Sequence, residues 1–271
     1  MLRKRGENDI KIAVTGASGF VGNKIVQMYE GAIVIPSLKN KTTSEIEKII
    51  KESEADVLIH TAAISDVGTC QARPEESYQA NVMLPVTIAK NFEGKKLICF
   101  SSDQVYSGST EIGPYTEDMA APGNLYAEEK LEMEKRVLDI CPDAVMLRAE
   151  WMYDYVSNKG NYFKNVLNAE GNTLLSSIQF RGISYVKEAV EAMQLVWRLP
   201  GGSYNFGSET QKSMYEITKE FVAFLEKKIE VEEGTERHNL WMDCSKIKKY
   251  GITFSEVTEG LKKCARDYGI N

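Results

Sequence analysis

"VTGASGFVGNKI", residues 14–25, sets Gly16, Gly19 and Gly22 three apart, directly after a short apolar run and at the start of a helical pattern. Glycines spaced this way permit a tight turn, close approach of backbone to a pyrophosphate, and close packing of the next helix on its strand. The N-terminus of that helix then faces the anion. The pattern is T-G-x-x-G-x-x-G rather than G-x-G-x-x-G, but the physical demands are the same. Three glycines also serve plain turns, so the surrounding order of elements has to separate the two readings.

That order alternates. "KIAVTG" (11–16) reads as a buried strand, and "GNKIVQMYE" has helical spacing with Ile25, Val26 and Tyr29 on one side. "AIVIPS" (32–37) is a second apolar run. "SEIEKIIKES" (44–53) carries a capping box of Ser44 with Glu47 and a stripe of Ile46, Ile49 and Ile50. "ADVLIHTAA" (55–63) is a third strand, residues 74–92 a helix kinked at Pro85, and "KKLICFSSD" (95–103) a fourth strand. A helix at 124–140, capped by Asn124, and a strand at 144–148 follow. Near-continuous apolar strands alternating with helices predict an α/β fold with a doubly wound parallel sheet of Rossmann type. Beyond residue 150 the rhythm loosens into helices near 160–169, 186–197, 213–227 and 255–267. The expected division is a dinucleotide-binding domain over 10–150 and a smaller C-terminal substrate-binding lobe over 151–271, partly interleaved with the sheet.

The 271 residues suffice for one large core or a main domain with a lobe. Hydrophobic content of 43% and charged content of 27% are ordinary for a globular chain. A net charge of −6 leaves no basic footprint, so nucleic acid is not an expected partner. Five scattered cysteines without a C-x-x-C pair argue against a disulfide framework or zinc ribbon and fit a reducing cytoplasm. No apolar run is long enough for a membrane span or for a signal peptide after the basic "MLRKRGENDI", whose first nine residues read as a loose leader. His60 and His238 alone give histidine chemistry little material.

"NLYAEEKLEMEK" (124–135) sets Tyr126 and Lys130 on one helical face. Glu and Lys at such spacing are commonly just a solvated surface. Further motifs change the weighting. "TGASGFVG", "HTAA" (60–63), Asn81, "FSSDQVYSG" (100–108) and "YAEEK" (126–130) come in an order that resembles the extended short-chain dehydrogenase/reductase family. Within it, "SSDQVYSG" followed by "YAEEK", together with "LRAEWMYD" (147–154) and "GNYF" (160–163), is similar to the dTDP-4-dehydrorhamnose reductases. Two departures stand out. Ser102 replaces the usual threonine, keeping the hydroxyl. "QFRGISYVKEAVEAM" (179–193) resembles the segment Q-x-R-D-F-I-x-V-x-D and keeps Arg181, but Gly182 stands where an acid is usual.

The resemblance implies a catalytic set of Ser102, Tyr126 and Lys130. A phenol has a pKa near 10. A neighbouring lysine ammonium and an oxidised nicotinamide favour the phenolate and suit the tyrosine to proton transfer. The lysine also holds the nicotinamide ribose, and the serine hydroxyl steadies the substrate carbonyl. Implied cofactor contacts are Gly16, Ser18, Gly19, Phe20, Val21 and Gly22 at the first turn. Thr61, Ala62, Ala63, Asn81 and Ser101, with Tyr126 and Lys130, complete them. His60 lines this path or is a satisfied core histidine. The second strand ends without the carboxylate that reads a 2′-hydroxyl. Lys39 therefore favours NADPH, with NAD as the alternative, while a solvated Lys39/Lys41 pair fits equally well. Asp103, Tyr106, Trp151 and Arg181 are the expected substrate contacts, with Tyr153 as a further aromatic. Arg181 suits a diphosphate or an ordinary salt bridge.

The resulting expectation is an NADPH-preferring oxidoreductase reducing the 4-keto group of a nucleotide-linked deoxysugar, with its proton from Tyr126. Two rivals stay open: a nucleotide-sugar epimerase that recycles its cofactor, and a cofactor-binding regulatory subunit without turnover. Dehydration is disfavoured, because Asp103 is the single acid beside Ser102. No metal is expected, since no acidic cluster matches the metal-bridged dimers of some such reductases. No membrane partner is expected, and a homodimer is.

Overall fold

A computed structural model describes residues 10–157 and 160–270. The leader expected at residues 1–9 lies outside the described residues. The central sheet has six strands. They are β1 (Ile12–Thr15), β2 (Ile33–Val34), β3 (Val57–His60), β4 (Lys96–Ser102), β5 (Val145–Ala149) and β9 (Gly202–Phe206), in the order β2–β1–β3–β4–β5–β9. β1 pairs in parallel with β2 and β3, and β3 with β4. Every residue of β1 and β3 is buried, as expected for strands covered on both faces. β2 is shorter than its apolar run. Ile35 still donates to Val14, but Pro36 has no N–H to continue the ladder.

The helices here are α1 (Phe20–Met28), α2 (Thr43–Glu52), α3 (Val67–Ala72), α4 (Pro74–Tyr78), α5 (Leu84–Asn91) and α6 (Leu125–Ile140). The capping box of α2 is Thr42 with Glu45, not Ser44 with Glu47. Both pairs satisfy the sequence pattern. Starting two residues earlier leaves Ile46 a full turn inside the helix, where it and Ile50 are buried on one face. α6 begins where Asn124 predicts, the Asn124 carboxamide accepting from Ala127 N–H at 2.9 Å. The helix expected over 74–92 is interrupted by a π-turn at Gln79–Met83. Pro85 cannot donate to the carbonyl of Asn81 four residues back, and the local widening absorbs the missing bond.

The chain forms two compact units. One runs through Ser102 and includes Asn124–Leu147 and Met193–Ser203; the other comprises Asp103–Gly123, Arg148–Ala192 and Tyr204–Asn271. The first has an aliphatic core in which Leu58, Val86, Leu97 and Val137 are buried. In the second, β6 (Trp151–Tyr153) pairs with β8 (Ile183–Tyr185), and β7 (Asn172–Ser176) with β10 (Glu230–Gly234), all in parallel. Its core is aromatic: Tyr153 stacks between Phe163 and Tyr185 with ring centroids 5.9 Å from each. Among the described residues no helix is long and apolar enough to cross a membrane. All five cysteines are buried and free.

Candidate active site

The glycine turn joins β1 to α1. Gly16 has φ +71°, a conformation glycine tolerates and branched residues resist, and a Cβ there would sit 2.7 Å from the backbone nitrogen of Ala62. A Cβ on Gly22 would overlap the carbonyl of Gly16. These are close approaches of turn, helix and strand, and they leave the outer side of the turn as bare backbone. Gly19 is the N-cap of α1, no side chain caps it, and its first turn holds no acid. Ser18 and Gly19 are exposed, and Phe20 and Val21 half-buried. A pyrophosphate fits this arrangement, with uncapped N–H groups and the positive end of a helix facing it.

The floor of the same end of the sheet is built from β3 and β4. Thr61 donates its hydroxyl to the Thr15 carbonyl at 2.8 Å, fixing the loop in which Ala62 is half-buried and Ala63 exposed. His60 is a satisfied core residue. Its Nδ1 lies 2.7 Å from the Thr15 hydroxyl, and burial, reinforced by the Lys130 charge, lowers its pKa to about 3. Asn81, in the π-turn, spans the loop: it accepts from Ile64 N–H at 2.9 Å and donates to Ile64 C=O at 3.0 Å. It also donates to Glu129 at 2.7 Å. Its carboxamide is thus committed to the protein, where it holds the loop after β3.

Ser102 ends β4, and Tyr126 and Lys130 stand one turn apart on α6. All three are buried, Tyr126 being 5% exposed and Lys130 3%. Lys130 Nζ donates to the carbonyl of Phe100 at 2.9 Å and lies 5.6 Å from the centroid of the Tyr126 ring. Burial brings its pKa down to about 8, opposed by the nearby Cys99, Glu134 and Glu129. The ammonium is therefore tethered between the strand that ends in the serine and the ring of the tyrosine. Ser101, the neighbouring hydroxyl, turns inward and donates to Glu134 at 2.5 Å. Glu134 is one further turn along α6, so Tyr126, Lys130 and Glu134 share a face at i, i+4, i+8. That spacing was present in the sequence but disguised by a run of surface-like Glu and Lys.

Lys39 is at the surface, its Nζ 2.7 Å from Glu76 on α4. Arg73 also reaches Glu76, at 3.6 Å.

The four expected substrate residues all belong to the second unit. Asp103 is buried and pairs with Arg181 at 3.1 Å. The Arg181 guanidinium lies 5.7 Å over the Trp151 ring, which is 40% exposed. Both line a cavity of about 490 Å³ with Tyr162, Gln179, Met214 and Val222. Tyr106 is placed differently, fully buried and stacked on Tyr115 at 5.2 Å. Its hydroxyl donates to Asn205 at 2.6 Å and accepts from Arg148 at 2.9 Å, so its polar end is used inside the unit. Tyr153 is likewise core.

Sequence reasoning missed Glu150. It is buried between β5 and β6, where it accepts from the Ser184 hydroxyl at 2.7 Å and the Ser208 N–H at 2.9 Å. Burial, reinforced by the Asp103 charge, pushes its carboxyl up to about 8. An acid inside the apolar strand pair 145–153 was the available signal. Among the described residues no group of three or more His, Cys, Asp or Glu is placed to hold a metal.

Comparison with known proteins gives a consistent result. Residues 10–268 match the family of the RmlD substrate binding domain. A probable low-salt glycan biosynthesis reductase of Haloferax volcanii, Agl14, is 30% identical over 159 residues, covering 52% of this chain and 53% of that protein. A dTDP-4-dehydrorhamnose reductase of Mycolicibacterium smegmatis is 29% identical over 150 residues, covering 53% and 46%. The matched stretch spans about half the length of these curated relatives. The crystal structure of a dTDP-4-dehydrorhamnose reductase from Bacillus anthracis in complex with NADP superposes with a TM-score of 0.83 at 19% identity, covering 95% of this chain and 99% of that one. At that identity the likeness is one of fold.

Proposed function

The chain belongs to the family of the RmlD substrate binding domain, and from that membership we propose that it is an NAD(P)-dependent reductase, converting the C4 ketone of a nucleotide-linked deoxysugar to an alcohol. The observation that carries this reading is the buried Tyr126–Lys130 pair, tethered by the Phe100 carbonyl to the strand that ends in Ser102. The ammonium's hydrogen bond goes to the neutral Phe100 carbonyl, with Glu134 and Glu129 nearby and the Tyr126 ring beside it. The names and NADP complex of the relatives point the same way.

In this reading the glycine turn and α1 hold the pyrophosphate of the cofactor, and Lys130 the nicotinamide ribose. A dihydronicotinamide held there would supply the hydride. Tyr126 donates its proton to the carbonyl oxygen as that oxygen becomes an alkoxide, and the Lys130 charge steadies the phenolate left behind. Ser102 donates a hydrogen bond to the same oxygen and fixes the ketone for attack. Within the second unit, Arg181 suits a diphosphate group, and Trp151 beside it a flat base or sugar face. Free cysteines fit a reducing cytoplasm as the place of action.

The test follows NADPH absorbance with dTDP-4-dehydro-β-L-rhamnose generated in the assay. Stoichiometric loss of NADPH that disappears in Tyr126→Phe is expected. Sugar conversion without net NADPH loss would replace the reductase with an epimerase. Tight NADPH binding without turnover on any 4-keto sugar would make the chain a regulatory subunit.

A further inference from the structure

Glu134 lies one helical turn beyond Lys130 on α6 and is buried, 4% exposed. Both of its carboxylate oxygens are engaged. The Ser101 hydroxyl donates to Oε1 at 2.5 Å, and the Ser203 hydroxyl, on β9, to Oε2 at 2.8 Å. Two donated hydroxyl hydrogens suit a carboxylate, which only accepts. Lys130 in turn donates to the carbonyl of Phe100, the residue before Ser101. With two side chains of opposite charge, one turn apart, α6 therefore grips two consecutive residues of β4 just before that strand ends at Ser102. Side chains at i and i+4 are neighbours on a helix, so the Lys130 ammonium and the Glu134 carboxylate share one buried site. All of these residues belong to the first unit.

We propose that Glu134 is a positioning residue of the Tyr126–Lys130 pair: clamped between Ser101 and Ser203, it keeps Lys130 in its ammonium form at the end of β4. This rests on the reading of Tyr126 and Lys130 as the proton-donating pair. A buried ammonium needs a counter-charge, because burial favours the neutral amine. Beside the Tyr126 ring, the groups that sense Lys130 are Cys99 on β4, Glu134 and Glu129 on α6, Cys70 on α3 and His60 on β3. Burial pushes the Cys99 thiol up to about 12 and raises that of Cys70, so neither supplies negative charge near pH 8. Burial brings His60 down to about 3, so it adds no rival positive charge there. The two carboxylates remain. Glu129 is directed elsewhere, its Oε2 accepting from Ser77 at 2.5 Å and from Asn81 at 2.7 Å. Glu134 holds the hydroxyl of the residue next to the carbonyl that Lys130 uses.

The test follows the Lys130 side chain by nuclear magnetic resonance in the full chain with isotope-labelled lysine, the Cε resonance being assigned by its loss in Lys130→Met. In the wild type it is expected to titrate near pH 8. Glu134→Gln keeps the shape and, since serine hydroxyls accept as well as donate, the hydrogen bonds, but removes the charge. Its midpoint is expected about one pH unit lower, the smaller end of what an opposite charge at this range contributes. NADPH affinity and kcat on a 4-keto sugar should follow, about fivefold below wild type at pH 8 and nearly equal to it at pH 6. A merely structural loss would lower both alike at the two pH values. Glu134→Asp retains the charge and is expected to titrate near the wild-type midpoint, which decides the matter if Glu134→Gln does not fold. A folded Glu134→Gln in which Lys130 titrates as in the wild type, or a Glu134→Asp midpoint lowered by a full pH unit, would overturn the proposal. If the wild type reduces no 4-keto sugar, the reductase reading fails, and the Lys130 resonance still decides the role of Glu134.

Discussion

Asn81 closes both backbone groups of Ile64, accepting from its N–H and donating to its carbonyl, at 2.9 and 3.0 Å. The same carboxamide nitrogen lies 2.7 Å from Glu129. One neutral side chain thereby fixes the loop after β3 and shields a buried carboxylate. Asn81→Asp replaces the donor with an acceptor that faces Glu129 and the Ile64 carbonyl. It is expected to destabilise the protein by about 2–4 kcal/mol, the cost of a buried polar group set against a like charge. NADPH affinity should fall with it, since Thr61 to Ala63 lie on the same loop. Urea unfolding and a fluorescence titration with NADPH measure both. A variant as stable as wild type would remove Asn81 from this role.

Tyr126→Phe is expected to lower kcat by about 10²–10⁴, the usual contribution of a positioned proton donor. The ring stays and only the hydroxyl is lost, so the melting temperature should change little. Lys130 brings a pH dependence of its own. Its pKa of about 8 lies below the ordinary lysine value, so its positive charge is present below pH 8 and is lost as pH rises through that value. Turnover at saturating substrate and the affinity for NADPH should both decline above about pH 8. In Lys130→Met both should be low and independent of pH over the same range. An unchanged alkaline limb in Lys130→Met would assign it to another group.

The parallel sheet was legible because strands buried on both faces must be apolar throughout, and β1 and β3 are. That Tyr126 and Lys130 share one face of α6 was legible because helical spacing is fixed at about 3.6 residues per turn, but their proposed role came from the resemblance of the surrounding motifs and not from the spacing. What escaped depends on contacts across long stretches of chain. Tyr106 follows β4 in sequence, yet its hydroxyl is taken up by Asn205 and Arg148, which no local pattern announces. Glu150 could be seen as an odd acid between apolar residues, but its fit against Gly182 appears only when β6 and β8 lie side by side. The start of α2 was ambiguous because two capping-box patterns overlap in sequence, and the structure uses the earlier one, Thr42 with Glu45.

His60 links stability to pH. Its folded pKa of about 3 is below the ordinary 6.5, so the unfolded chain binds the proton more tightly. Stability from this site is fully present above pH 6.5 and is lost as pH falls toward 3. His60→Gln keeps a polar partner for Thr15 without a titrating ring. It is expected to be less stable at pH 7, and to lose less stability than wild type between pH 6.5 and 4. Urea midpoints across that range provide the comparison, and parallel curves for the two proteins would contradict it.

Cofactor choice should depend on the Lys39–Glu76 pair. The end of β2 carries no acid, but Glu76 brings a carboxylate from α4 to within 2.7 Å of the Lys39 ammonium. A 2′-phosphate would compete with that carboxylate for the same cation, and a bare 2′-hydroxyl would not. The pair is largely exposed, with side-chain accessibilities of 67% and 37%, so it contributes little to stability and is readily exchanged for a ligand. Lys39→Gln is therefore expected to lower the ratio of kcat/KM for NADPH over NADH by about three- to tenfold, a difference of roughly 1 kcal/mol in phosphate binding. Glu76→Gln should raise that ratio by a similar factor, because Lys39 is released to the phosphate. Both variants should melt within a degree or two of wild type. Opposite movements of the ratio at constant stability would locate the 2′-phosphate at Lys39. A ratio that neither substitution moves would place it on other residues and make the pair an ordinary surface contact.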